Sequence, residues 1–243
     1  MLEGLFSAAS GMVSVIQAQQ IIINNIANVA TPGFKKDIPV YRSFSTILQK
    51  KLERRESISE VEGTFVDFSQ GEIESTGRRL DLAIRGEGFF ALLTPQGIAY
   101  TRAGSFTLDN KGRLTTPQGY FLLGTRGPLT IPSLRETSQF KVSPEGEVIV
   151  GEKVIDRIRV EVFPATPFSL YKVGENLFKL GAKTSMRGVK GNYLIKQGYL
   201  ELSNVDIVQE MVDLIANFRL YEAAQKAIQL QDATLGKICS ELQ

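Results

Sequence analysis

The chain has no histidine and no tryptophan, and only one cysteine in 243 residues. Without histidine, the commonest general base and neutral metal ligand near pH 7 is missing. Serine–histidine–acid and cysteine–histidine catalysis are excluded within this chain. The single thiol, Cys239, forms no internal disulfide and no cysteine-rich zinc cluster; its place near Ile238 and Leu242 suits packing. An excess of one charge is lacking too. The balance of 28 basic and 26 acidic residues leaves +2, too little to point to nucleic acid or an anionic membrane. Arg54-Arg55 and Arg78-Arg79 are isolated doublets that read as solvated surface. The stretch Val13 to Ile26 is interrupted by Gln17, Gln19, Gln20, Asn24 and Asn25, so no integral membrane span is expected. The first residues do not form a basic, apolar and small-residue leader, which implies a cytosolic home or export without a cleaved signal.

What the chain does contain is distributed unevenly. Leu5, Ala8, Met12, Val15, Gln19, Ile22, Ile26 and Val29 recur at alternating spacings of three and four, the pattern of a coiled-coil seam. A helix of about 25 residues would extend roughly 35 Å. Ala8, Ala9, Ser10 and Gly11 thin one section of it and would admit a closely packed neighbour. The helix should stop near Asn28, because Pro32 disfavours helical geometry at Thr31. A turn at Pro32-Gly33 then redirects the chain. A second helix begins near Val205 and runs almost to Leu242, with Ser203 as its cap and Asp206 at the reciprocal capping-box position. Val208, Met211, Val212, Ile215, Phe218 and Tyr221 make a broad apolar arc on it, continued by Leu235 and Ile238. Two arrangements fit such stripes: an antiparallel hairpin beside the central domain, or packing against helices of other subunits.

Between the helices the pattern changes. Leu82 to Ile84, Phe89 to Leu93, Ile98 to Thr101, Phe106 to Leu108, Gly119 to Leu123, Ser138 to Val142, Gly146 to Val150 and Ile158 to Phe163 read as short strands. Gly86-Glu87-Gly88, Pro95-Gln96-Gly97 and Asp109 to Gly112 read as turns between strands. Nothing repeats with the length of a βαβ unit, so the sheet should be antiparallel. Ahead of it, Phe65, Phe68 and Ile73 could anchor an extended segment bent at Gly63, Gly71 and Gly77, and Lys50 to Glu62 should face solvent. The fold class is mainly β with long N- and C-terminal α-helices.

Chemistry finds little purchase. Asp81, Glu87 and Asp109 lie close to turns without catalytic spacing. Gly86 to Phe90 is too short for a dinucleotide loop and no helix follows it. Asp109-Asn110-Lys111-Gly112 lacks the ligand ladder of a calcium loop. No catalytic residue, metal site or cofactor is expected.

Ala8 to Met12, Asn24 to Val29 and Thr31-Pro32-Gly33-Phe34-Lys35 resemble the bacterial flagellar axial proteins of the rod and hook. The same resemblance holds for Leu80 to Ile84, Gly86 to Phe90, Tyr100 to Phe106, Gly198 to Val205 and Glu210-Met211-Val212. Within that family, the short length, Leu123-Gly124 and Gly127 to Pro132 look most like a proximal-rod subunit, with a distal-rod subunit next. The resemblance implies a non-enzymatic subunit exported by the flagellar secretion machinery and polymerised helically in the periplasmic section of the rod, as part of the shaft between motor and hook. Its implied partners are copies of itself, neighbouring rod proteins, the export apparatus and the surrounding ring. Residues 1–33 and 199–243 would supply a coiled-coil-like inner domain, 34–80 a connecting segment, and 81–198 an antiparallel β outer domain. The assembly interface would be carried by Leu5, Met12, Val15, Ile22, Ile26, Val29, Val208, Met211, Ile215, Phe218 and Leu235, with Pro32, Gly33, Ser203 and Asp206 setting turn and cap. A competing reading makes the β surface a binding module of the cell envelope and the helices mere closure of the fold.

Overall fold

A computed structural model describes residues 2–40, 64–131, 140–163, 170–181 and 192–241, with backbone alone at 2–8 and 235–241. The charged stretch Lys50 to Glu62 and the bend at Gly63 lie outside these residues. The chain divides into two compact units: unit 1 is Met1–Asn28, Lys36–Asp67 and Val205–Gln243, and unit 2 is Val29–Lys35 and Phe68–Asn204. The architecture is mainly β, flanked by two terminal helices.

Unit 1 holds helix α1 (Leu2–Ala27) and helix α2 (Ile207–Glu241), packed along one another. Residues near the end of α1 meet residues in the first turn of α2, so the pair runs antiparallel. A two-stranded ribbon joins them, formed by β1 (Asp37–Pro39) and β2 (Thr64–Val66). The α1 helix closes with the Asn28 amide donating to the Asn25 carbonyl at 3.1 Å. Such a tightened final turn satisfies a carbonyl that would otherwise lack a helical partner.

Unit 2 contains the remaining strands. These are β3 (Ile73–Ser75), β4 (Leu82–Gly86), β5 (Phe89–Thr94), β6 (Gly97–Thr101), β7 (Thr107–Leu108), β8 (Leu114–Thr115) and β9 (Phe121–Leu122). They are followed by β10 (Phe140–Val142), β11 (Glu147–Val150), β12 (Lys153–Arg157), β13 (Val160–Glu161), β14 (Leu170–Gly174), β15 (Leu177–Leu180), β16 (Tyr193–Gln197) and β17 (Tyr199–Glu201). The largest sheet runs β14-β15-β6-β5-β9-β8-β7, with β13 added to β5; β10-β11-β12, β16-β4 and β17-β3 form smaller sheets. Each of the strand pairs in unit 2 is antiparallel.

Strand β5 shows how the core is made. Its alternation sends Phe90 to one face, where it meets Phe106 edge-on at 5.5 Å within a cluster that includes Leu82, Ile84, Leu92 and Ile195. Phe89 takes the other face and joins Phe68 and Phe178, each 5.6 Å away between ring centroids. Both faces of this strand are therefore buried, which suits its nearly continuous apolar run. The Asp109 to Gly112 segment is a turn: Asp109 Oδ1 accepts from the Lys111 and Arg113 amides at 2.9 and 2.8 Å. Its carboxylate is thus committed to the turn itself and to Arg113.

Gly104 marks the tightest backbone approach. A Cβ there would fall 1.6 Å from the Leu82 carbonyl oxygen, while the Leu82 amide donates to the Gly104 carbonyl at 3.0 Å. Gly104→Ala should therefore lower unit 2 stability by about 3 kcal/mol or more, read as a shifted urea midpoint in near-ultraviolet dichroism. An unchanged midpoint would show that the backbone at Leu82 yields freely.

Candidate assembly site

The helix pair of unit 1 divides its surface between an inner seam and an outer apolar face. On α1 the shielded positions include Ala18, Ile22 and Asn25, all buried. Met12, Val15 and Ile26 are half-buried beside them. The most shielded line therefore runs through Val15, Ala18, Ile22 and Asn25, with Gln19 and Ile26 half-buried beside it. On α2 the shielded positions include Glu210, Leu214, Asn217, Tyr221, Ala224, Ile228 and Gln231, alternating by four and three, with Asp213 half-buried beside them.

This phase leaves the apolar arc of α2 outside the intramolecular seam. Val208 is 67% exposed, Ile215 57% and Phe218 55%, and Met211 and Val212 share the exposed surface. Val13, Ile16 and Ile23 are likewise exposed on α1. Val29 lies in unit 2 and is half-buried. Leu5 and Leu235 are on the helices, with side chains outside the described residues. Gly11 is exposed and its missing Cβ faces open space, so it creates no close approach between α1 and α2.

The cap of α2 differs from the expectation. The helix starts at Ile207, and Asp206 Oδ1 accepts from the Val208 and Gln209 amides at 2.9 and 3.2 Å. Asp206 is therefore the N-cap itself, and Ser203 lies three residues ahead in extended chain. The physical reason is positional: a capping side chain must immediately precede the first helical residue.

Three polar residues hold the end of α1 to the ribbon and to α2. The Asn25 side chain acts as a strand-like partner for Asp37, donating to its carbonyl at 2.9 Å and accepting from its amide at 3.0 Å. Its amide nitrogen also reaches Glu210 Oε2 at 3.1 Å. Glu210 is paired with Lys36 at 2.5 Å. A buried carboxylate is thus neutralised and hydrogen-bonded in the first turn of α2, where the helix dipole also favours negative charge.

Unit 2 has its own buried polar centre, built around the turn at Pro32-Gly33. Gly33 has φ of 68°, and a Cβ there would lie 2.4 Å from the Ala103 nitrogen. Glycine is required on both counts. The Gly33 amide donates to the Glu201 carbonyl at 2.7 Å. Two residues on, Lys35 Nζ meets Glu201 Oε1 at 2.6 Å, with both side chains fully buried. Arg102 Nη1 meets the other carboxylate oxygen at 3.1 Å and also donates to the Ile84 carbonyl, while its Nη2 donates to the Gly86 carbonyl at 2.8 Å. Burial pulls the Arg102 guanidinium below its ordinary pKa, and Glu201 opposes that pull. The Gly71 amide supplies a further donor to Glu201 Oε1 at 3.1 Å.

Sequence reasoning identified neither polar centre as a site. Lys35, Arg102 and Glu201 each sit inside or at the end of a motif that carries the family resemblance; Arg102 and Glu201 are single charges between apolar or small neighbours, whereas Lys35 is followed by Lys36. Asn25 is legible only as a polar interruption of the apolar stretch and as part of the resemblance motif Asn24 to Val29. Among the described residues there is no group of three or more potential metal ligands and no helix long and apolar enough to cross a membrane.

Similarity to known proteins covers parts of both units. Residues 83–150 match the family described as flagellar hook protein FlgE/F/G D1 domain, and residues 196–240 match flagellar basal body rod FlgEFG protein C-terminal. The chain is 34% identical to flagellar basal-body rod protein FlgG of Borreliella burgdorferi, over 97% of each chain. It is 33% identical to FlgG of Bacillus subtilis over 98% of each. Flagellar basal-body rod protein FlgF of Escherichia coli is 27% identical over 97% of this chain and 96% of its own length.

Removing the polar pins should have graded effects. Glu201→Gln would leave two buried cations without their counter-charge and should cost about 3–5 kcal/mol. Asn25→Ala would leave the Asp37 amide without its side-chain acceptor and should cost about 2 kcal/mol in unit 1. Guanidinium unfolding followed by hydrogen exchange in each unit would separate the two losses. Equal stability of Glu201→Gln and the parent would contradict the charge account.

Proposed function

The chain belongs to the flagellar basal-body rod and hook family of structural subunits, and from that premise we propose that it polymerises helically as a rod component that transmits torque towards the hook. The observation that carries this reading is the outer face of α2. Its Val208, Met211, Val212, Ile215 and Phe218 expose a continuous apolar arc although α1 already occupies the opposite side of the helix. A monomer gains nothing by holding such a face in water, whereas a helix of a second subunit would desolvate it. Copies of the chain and neighbouring rod proteins are the partners, Leu5, Met12, Val15, Ile26, Val29 and Leu235 adding to the interface, while Ile22, buried within the unit, supports it from behind. The helix-bearing unit 1 acts as the inner domain and the β-rich unit 2 as the outer domain, the stretch 34–80 expected as a connection being shared between them. Export by the flagellar secretion machinery delivers the subunit to the periplasmic section of the rod.

Length and the Gly127 to Pro132 segment favour the proximal rod, but the identities of 34% and 33% to FlgG proteins against 27% to FlgF support the distal rod. The distal position is the one we put forward. Gold labelling of the chain in isolated hook–basal bodies tests it: label adjoining the hook fits the distal rod, and label at the inner end of the rod overturns it.

Val208→Asp and Ile215→Asp should leave the monomer's helical dichroism intact, because both side chains are exposed, yet abolish polymerisation. Ile22→Asp should loosen the helix pair as well, because Ile22 is buried. Normal rod assembly by both exposed-face variants would sink the assembly role of that face.

A further inference from the structure

The Lys35–Glu201 contact joins residues 166 positions apart. Unit 2 is built from Val29–Lys35 and Phe68–Asn204, and its first piece is tied to the end of its second. The tie has several strands. The Gly33 amide donates to the Glu201 carbonyl at 2.7 Å, and the Asn204 amide donates to the Phe34 carbonyl at 3.4 Å. Lys35 Nζ also donates to the Ser69 carbonyl at 2.6 Å, and Asn204 Nδ2 reaches Ser69 Oγ at 3.0 Å. The Leu202 amide donates to the Glu72 carbonyl at 2.7 Å.

A hairpin closes over the other side of the same short segment. Lys172 of β14 lies over the Phe34 ring at 4.2 Å and donates to the Lys35 carbonyl at 2.6 Å. Asn176, in the turn before β15, donates to the Pro32 carbonyl at 2.8 Å, while its own carbonyl accepts from Thr101 Oγ1 at 2.9 Å. Residues 32–35 are thus held from two directions by groups distant in sequence.

We propose that this cluster is a mechanical clasp that shields the sheets of unit 2 from tension along the chain. Tension applied at the termini pulls residue 35 away from residue 201. With the clasp closed, that load crosses the Lys35–Glu201 pair and the surrounding backbone bonds, bypassing the strands between them. Once it opens, the load falls on the strands in sequence. Arg102 plays a different part. It neutralises Glu201 from within, through bonds to the Ile84 and Gly86 carbonyls, and lies off the load path. The clasp belongs to the single chain, so it stands or falls independently of polymerisation.

The discriminating experiment pulls the full-length chain by its two termini in optical tweezers. Lys35→Met and Arg102→Met each leave one charge-balanced pair with Glu201, so both should be destabilised in urea. Only Lys35→Met should lower the force at which unit 2 first ruptures, with the released length unchanged; Arg102→Met should rupture near the parent force. Hydrogen exchange at the Gly33 and Gly71 amides should accelerate by at least about tenfold in Lys35→Met. Rupture of Lys35→Met at the parent force, or equal weakening of both variants, would overturn the clasp. Asn204→Ala removes the tie to Ser69 without stranding a charge, and it too must lower the rupture force; if Lys35→Met does not fold, that variant decides the matter.

Discussion

A carboxylate with no water around it constrains much of unit 2. Glu201 is 1% exposed and meets a fully buried ammonium on one oxygen and a guanidinium on the other. Taking a carboxylate out of water costs several kcal/mol even after local relaxation. That penalty is offset only when Lys35, Arg102 and the Gly71 amide arrive together. They come from the segment after the first turn, from the end of β6 and from the chain leading into β3. Partial closure would leave a charge buried and unpaired, so the site favours one arrangement of these segments over compact alternatives. Its stabilising contribution matters less than its intolerance of error.

Unit 1 is organised the opposite way round. Its intramolecular seam contains Asn25, Glu210 and Asn217, while Val208, Ile215 and Phe218 point outwards. Apolar contacts alone would not define register, because a helix can slide along a greasy stripe at little cost. The paired bonds of Asn25 to Asp37 and Glu210 are directional and fix where α1 ends against the ribbon and α2. With register set by polar groups, the apolar residues of α2 are left available for a neighbour.

This inversion explains what the sequence made legible. The long helices, the stop before Pro32 and the antiparallel strands around Phe89 and Phe90 follow from periodicity and turn residues. The helix phase does not, because α1 and α2 carry apolar residues on more than one face, and a hydrophobic count cannot tell a seam from a surface awaiting a partner. The cap was misplaced by three residues because Ser203 and Asp206 are both good capping residues; only the start at Ile207 distinguishes them. Strands β8 and β9 have two residues each, too few to display an alternation. The Glu201 centre was illegible for a different reason: its cations are 166 and 99 positions away, and no local pattern encodes that meeting.

The two units also divide the physical demands on a structural subunit. An assembly face must be adaptable and only moderately selective residue by residue, a role suited to exposed aliphatic side chains whose association is non-directional. A domain under load needs bonds that fail together, which short-range, directional ion pairs and backbone hydrogen bonds provide. Placing the apolar face on helices and the ion pairs at the closure of the β unit lets each be altered separately. A substitution on α2 can retune association without disturbing Glu201, and one at Lys35 can weaken closure without adding or removing any group of the α2 apolar arc. The separation is topological: the exposed apolar arc lies on α2 in unit 1, and the Lys35–Glu201–Arg102 centre lies in unit 2.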